Sequence, residues 1–85
     1  MSGIILIDLE TPSPSANVNP ATDVMNELNK IDEVSEVHRL EGNHDIFVRV
    51  NVSSKSELDN FVATKIKRID WVKSTSTMLI IKDKK

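Results

Sequence analysis

Two short stretches carry residue types with chemical potential. The first is Gly42-Asn43-His44-Asp45 and the second is Ser74-Thr75-Ser76-Thr77. A glycine at a bend lets consecutive backbone N–H groups point the same way, which makes an anion-binding concavity. Asp45 is suited to hold a cationic group or to fix the bend by accepting backbone N–H bonds. His44 is suited to read ligand charge or pH, although loop histidines are commonly just solvated. The hydroxyl run offers donors and acceptors, and strand alternation sends only two of its four members to each face. Each stretch also has a plainer reading. Gly42 fits an ordinary hairpin glycine, and the Ser/Thr run fits β-propensity in an interface strand.

Other chemistries are poorly supplied. The 85 residues contain no Cys and no Tyr. No serine sits in a nucleophile motif, and neither His38 nor His44 has an evident carboxylate-and-serine partnership. His38, His44 and Asp45 do not have recognised metal-ligand spacing, so no metal or other cofactor is expected. With two Phe and one Trp, the chain is also thinly equipped for the aromatic pocket of a small dimeric enzyme, the alternative catalytic reading. The net charge is −2 and the basic residues are scattered, unlike the stripe of a nucleic-acid binder. No apolar run approaches membrane-spanning length. The start, Met1-Ser2-Gly3-Ile4, lacks the charged lead of a signal peptide. A soluble cytoplasmic protein, without membrane or direct nucleic-acid contact, is therefore expected.

The elements that must position these residues follow from periodicity. Gly3 to Leu9 is a β-branched apolar run and reads as a buried strand. Glu10 to Asn19, with Pro12 and Pro14, is a connector or a flap over a ligand. Asn19-Pro20 opens a helix, asparagine at the N-cap and proline at the first helical position. Ala21, Val24, Met25, Leu28 and Ile31 form its apolar stripe. Val34 to Leu40 is a second strand with imperfect alternation. Ile46 to Val52 alternates cleanly, with Ile46, Val48, Val50 and Val52 on one face and Phe47, Arg49 and Asn51 on the other. These two strands read as a hairpin in the middle of a small sheet.

Ser54 and Glu57 predict a capping box in which each side chain bonds the other's backbone N–H. Leu58, Phe61, Val62, Ile66 and Ile69 are the buried stripe of that second helix. Lys65, Lys67 and Arg68 complement the negative end of its dipole or, less simply, bind phosphate. Trp71 reads as a core or interface anchor. Val72 to Lys82 is the last strand, and Asp83-Lys84-Lys85 a frayed tail.

The element order is strand-helix-strand twice over, which is the α+β, ferredoxin-like βαββαβ arrangement. It predicts a single domain over residues 1–85: a four-stranded antiparallel sheet with both helices on one face. The first, third and last strands have large apolar residues on both faces, and two helices cover only one. The open face would then exceed the apolar patch that monomers normally expose. The simplest remedy is a homodimer, sheet to sheet, in a barrel-like assembly.

From about Gly3 to Lys82 the chain resembles the effector-binding (RAM) domain of the Lrp/AsnC transcriptional regulators. The features carrying this are the opening apolar strand, Met25-Asn26-Glu27-Leu28 running to Ile31-Asp32-Glu33-Val34, and Val37-His38-Arg39-Leu40-Glu41-Gly42-Asn43-His44-Asp45-Ile46. The helix with Phe61-Val62 and Lys65-Ile66, and Val72-Lys73-Ser74-Thr75-Ser76-Thr77, complete them. The resemblance implies a dimer, with dimers assembling into octamers or decamers, and a small-molecule effector, typically an amino acid. It places the pocket between subunits beside the hairpin turn, with Gly42, Asn43, His44 and Asp45 meeting Ser74, Thr75, Ser76 and Thr77 of a neighbour. The family normally begins with a helix-turn-helix, and the first strand here begins almost at Met1. The expectation is a stand-alone, non-catalytic module that affects transcription or metabolism through a partner. The alternative is an assembly module that pairs with a full-length Lrp/AsnC regulator without binding ligand. The loop from Pro12 to Val18 departs from the family's short, polar, glycine-bearing connection, so the pocket rim is expected to differ.

Overall fold

The computed structural model describes residues 1–82. The expected frayed tail, residues 83–85, lies outside them. The chain runs β1 (Ser2–Leu9), α1 (Pro20–Leu28), β2 (Val34–Arg39), β3 (Ile46–Asn51), α2 (Lys55–Phe61) continued by a π-helical turn (Val62–Ile66), and β4 (Val72–Ile80). All three strand pairings are antiparallel, in the order β2-β3-β1-β4. This is the ferredoxin-like order. The β2–β3 hairpin is not central as expected: β3 lies inside the sheet beside β1, while β2 is an edge strand. Its composition suits an edge, since Ser35, Glu36, His38 and Arg39 are exposed or half-buried polar residues.

The helix termini form where local chemistry predicts. Asn19 Oδ1 accepts the Thr22 N–H at 3.2 Å, with Pro20 in the first turn. Ser54 Oγ accepts the Glu57 N–H at 3.1 Å. The return bond goes one residue further back than the capping box predicts, from Ser53 N–H to Glu57 Oε2 at 2.7 Å. The second helix then widens. Lys67 N–H reaches the Val62 carbonyl at 2.9 Å, a five-residue step. Thr64 Oγ1 donates to the Asn60 carbonyl at 2.8 Å, competing for an acceptor that an unbroken α-helix would use.

The core lies between the helices and one sheet face. Ile5, Ile7, Ile46, Val48 and Val50 come from the sheet, Val24 and Leu28 from α1, and Leu58, Phe61, Val62 and Ile66 from the second helical segment. Gly3 is closely packed here. A Cβ at this position would lie 2.6 Å from Leu58 Cδ1 and 3.2 Å from Val50 Cγ2. The imperfect alternation of β2 also has a cause. The β2–β3 register shifts between Val34 and Glu36, and Ser35 Oγ donates to the Arg49 carbonyl at 3.2 Å. The extra residue lets Val34 and Val37, three apart, both pack on the core.

Trp71 also packs against the core, with φ of 79°, an uncommon backbone state for a bulky residue. Its carbonyl accepts the Glu10 N–H at 2.8 Å, which ties the start of β4 to the end of β1.

Candidate functional site

Strand register decides which side chains share the uncovered sheet face. Ile4 lies opposite Arg49 and Met78, Leu6 opposite Phe47 and Ser76, and Asp8 opposite Ser74. Directly opposed residues point the same way, so this face carries Ile4, Leu6, Phe47 and Met78 along with Asp8, Ser74 and Ser76. Met78 is 47% exposed, unusual for a large apolar strand residue. Thr75 and Thr77 lie opposite Ile7 and Ile5, on the helix-covered side. The four hydroxyls are divided two and two as strand alternation predicts, and the register places Ser74 and Ser76 on the open side.

Glu36, His38, Phe47 and Arg49 cluster on the β2–β3 half of this face. Glu36 Oε1 lies 3.1 Å from His38 Nε2, and its Oε2 is ion-paired with Arg49 Nε. That Nε is shut off from water and lies off the hydrogen-bond direction, so the contact is electrostatic rather than a well-formed hydrogen bond. The His38 ring lies 5.7 Å from Phe47, tilted at 44°. His38 first, and then Arg49, hold the Glu36 carboxyl below its ordinary range.

The hairpin turn is closed by Leu40 N–H donating to the Asp45 carbonyl at 2.8 Å. Gly42 has φ of +136°, with open space where a side chain would project. That backbone state is close to glycine-only. Asn43 follows, exposed or half-exposed like its neighbours. The turn is then fastened to β1 from two positions. Asp45 N–H donates to the Ile7 carbonyl at 2.9 Å, and Asp45 Oδ2 accepts the Leu9 N–H at 2.7 Å. Of the two roles foreseen for Asp45, the structure displays the fixing of the loop. The β1–β4 register shifts between Asp8 and Leu9, where the Leu9 N–H turns to this carboxylate.

His44 is not free in the loop. Its Nδ1 lies 3.0 Å from Asp8 Oδ1, and Ser74 Oγ donates to Asp8 Oδ2 at 2.9 Å. One carboxylate on β1 therefore joins the hairpin turn to the hydroxyl strand. The Ser74 hydroxyl and then the His44 ring hold the Asp8 carboxyl below its ordinary range. Asp8 was missed from sequence, because an acidic residue near the end of an apolar run reads as a strand boundary. Its partners are 36 and 66 residues away. The connectivity also speaks to catalysis. In a Ser-His-Asp triad the serine gives its proton to histidine, whereas here Ser74 gives it to Asp8, so these three residues are not connected as a triad.

His38 and His44 are committed to different carboxylates, and among the described residues no three metal-ligating side chains converge. On the helix side, an open groove of about 890 Å3 is lined by residues including Lys30, Ile31, Lys65, Arg68, Ile69 and Trp71. None of the predicted site residues lines it. Lys65, considered above for dipole complementation and phosphate, instead bonds the Glu33 carboxylate at 3.0 and 3.2 Å, holding Glu33 below its ordinary range. Lys30 is paired with Glu27 at 3.2 Å. Among the described residues no helix is long and apolar enough to cross a membrane.

A four-stranded antiparallel sheet in the order β2-β3-β1-β4, with both helices on one face and the other uncovered, defines a ferredoxin-like domain. The sequence matches the Lrp/AsnC ligand binding domain over residues 4–85, and the chain belongs to that family. A protein of Pyrococcus furiosus, named an uncharacterised HTH-type transcriptional regulator, is 33% identical over 82 residues, covering 96% of this chain and 51% of its own length. The solved structure of Escherichia coli AsnC superposes with a TM-score of 0.77 at 27% identity, covering 96% of this chain and 51% of that one. A transcriptional regulator of Neisseria meningitidis, solved as a complex with L-Met, superposes with a TM-score of 0.81 at 16% identity, covering 99% and 51%. That last likeness bears on fold alone. The chain spans about half, or less, of the length of the curated relatives it matches. These relatives are named transcriptional regulators, which makes the family regulatory rather than enzymatic.

Proposed function

We propose that this chain is a dimeric effector-binding module that senses an amino acid and passes the signal to transcription or metabolism in the cytoplasm. The observation that carries the reading is the junction of the Gly42–Asp45 turn and Ser74 at one corner of the open face, through Asp8. An amino acid is a zwitterion. Its carboxylate calls for N–H donors, which a glycine turn supplies, and its ammonium calls for oxygen or nitrogen acceptors. Membership in a ligand-binding-domain family supports the reading, and the Neisseria protein of the same fold was solved as a complex with L-Met.

The homodimer forms through the open face. Met78 is half-exposed, and Leu6 and Phe47 are only partly covered. Pairing two such faces buries them without disturbing the core. Dimers then assemble into octamers or decamers, which brings turns and β4 strands of different dimers together.

A thermal-shift screen of the twenty amino acids at millimolar concentration tests the ligand. A compound at a hundred times its Kd adds about 2.7 kcal/mol of stability. A response to one amino acid, or to a chemically related few, is expected. Silence across the set, with co-purification of a full-length Lrp/AsnC regulator, would replace this reading with the assembly-module one.

A further inference from the structure

The groove of about 890 Å3 on the helix side lies between α1 and the second helical segment, since residues of both line it. Its floor is apolar. Ile31, Ile69 and Trp71 line it, packed against the core yet only half-buried. Asp23, Asn26, Glu27 and Lys30 form one wall, with the i, i+3, i+4, i+7 spacing of a single helix face. Thr64, Lys65 and Arg68 form the other. Two irregularities of the backbone meet here. Trp71 holds φ of 79°, a state that a bulky residue adopts only where its surroundings impose it. Thr64 and Lys65 belong to the π-helical turn, a widening that recurs at functional sites. Lys65, bonded to Glu33 at 3.0 and 3.2 Å, marks one end of the groove. Beyond that pair lies a smaller recess of about 190 Å3 with Val52 and Phe61.

The charge of the lining is unbalanced. Lys30 is matched by Glu27, and Lys65 by Glu33. Among the described residues Asp23, Asp32 and Asp70 enter no ion pair, and Arg68 is the one basic lining group without one. Three carboxylates against one guanidinium leave the groove net acidic. It is open, so it does not enclose a small molecule as ligand pockets do. Its form is that of the helix-in-groove mode, in which an apolar stripe lies on the floor and polar residues meet the rim. α1 has nine residues, about 14 Å at a rise of about 1.5 Å per residue, which suits a partner helix of about two and a half turns. We propose that this groove is a docking surface for a basic amphipathic helix of another protein. The partner's apolar side chains cover Ile31, Ile69 and Trp71, and its Lys and Arg residues meet Asp23, Asp32 and Asp70. The groove lies across the sheet from the face assigned to the homodimer, so docking does not compete with pairing. The proposal does not rest on the amino-acid reading.

Trp71 is the sole tryptophan, so its emission reports on the groove. The probes are two synthetic peptides of about 14 residues, about four helical turns. Both carry leucines on one helical face; one has lysines on the other face and its counterpart has glutamates. The lysine peptide is expected to shift Trp71 emission to shorter wavelength in a saturable titration, with amide shifts at Asn26, Thr64 and Arg68. The glutamate peptide should bind at least about ten-fold more weakly, because like charges then face each other across the contact. Replacing the leucines of the lysine peptide by alanine should abolish the emission shift. Asp32→Lys combined with Asp70→Lys, at exposed positions outside the helices, should reverse the preference toward the glutamate peptide. Four outcomes overturn the proposal: equal affinity for the two peptides, a preference that survives the charge reversal, amide shifts confined to Leu6, Phe47 and Ser76 of the sheet face, or no response to the lysine peptide. A failed amino-acid screen leaves a positive peptide result standing, and a failed peptide titration leaves the amino-acid reading standing.

Discussion

Asp45 Oδ2 accepts the backbone N–H of Leu9 at 2.7 Å, across 36 residues of sequence. This bond fastens the hairpin turn to the central strand at the point where β1 leaves its register with β4. Asp45→Ala removes the acceptor from a half-buried N–H and is expected to cost about 1–3 kcal/mol. Asp45→Asn keeps a carbonyl oxygen and should lose much less. Urea melts of the two variants check this. Equal losses would show that the bond does not fasten the turn.

The acid limb of the stability curve should be set by Asp8, Glu33 and Glu36. All three carboxyls lie below their ordinary values of 3.8, 4.5 and 4.5 in the folded protein. The unfolded chain therefore binds more protons in the acid range, and stability rises with pH there. The contribution is complete above those ordinary values and is lost as pH falls through the depressed folded ones. Melting temperatures between pH 2 and pH 6 should climb with pH. In Asp8→Ala the gap from the unaltered protein should be widest at pH 6 and narrow toward pH 2. A gap independent of pH would contradict the assignment.

Gly3→Ala should be disproportionately costly for so small a change. The added methyl would come within 2.6 Å of Leu58, itself fully buried. Overpacking of this kind costs about 1–3 kcal/mol, and a domain of this size loses roughly 4–8 °C in Tm per kcal/mol. Gly3→Ala combined with Leu58→Val should recover part of the loss, which separates a clash from a change in strand propensity.

Gly42→Ala tests a different cost. Nothing lies within 4 Å of the added methyl, but φ is +136°, where the strain is of order 1–3 kcal/mol. The turn is expected to relax into another conformation, visible as shifted amide signals from Glu41 to His44 with β1 and β4 unchanged. Amide signals identical to those of the unaltered protein would mean that the turn does not depend on glycine.

Met78→Asp separates the fold from the assembly. Met78 is 47% exposed in the isolated chain, so the substitution should alter the stability of a protomer by only about 0.5 kcal/mol. Placed within a paired face, it should shift solution scattering from a dimer to a monomer mass. A dimer that survives would place the contact elsewhere.

Much of this protein is written locally. Asn19-Pro20 and Ser54 with Glu57 mark helix starts because a cap is a bond to an N–H two or three residues away. The alternation from Ile46 to Val52 assigns Phe47 to the uncovered face because strand side chains repeat every second residue. The order of elements then leaves few topologies, and glycine at position 42 announces the bend. These rules operate within a turn or a strand, and the sequence alone suffices for them. The rest depended on register between distant strands. A shift at Ser35 reconciled Val34 with Val37, and the pairing of β1 with β4 decided which of the two hydroxyl pairs, Ser74 with Ser76, shares the open face. The same pairing set Asp8 against Ser74, and the fastening of the hairpin turn to the other side of β1 brought His44 to it. No periodicity encodes a hydrogen bond across 66 residues, because such a bond exists only after the whole sheet has aligned. The arrangement of the candidate site was therefore decided by tertiary structure.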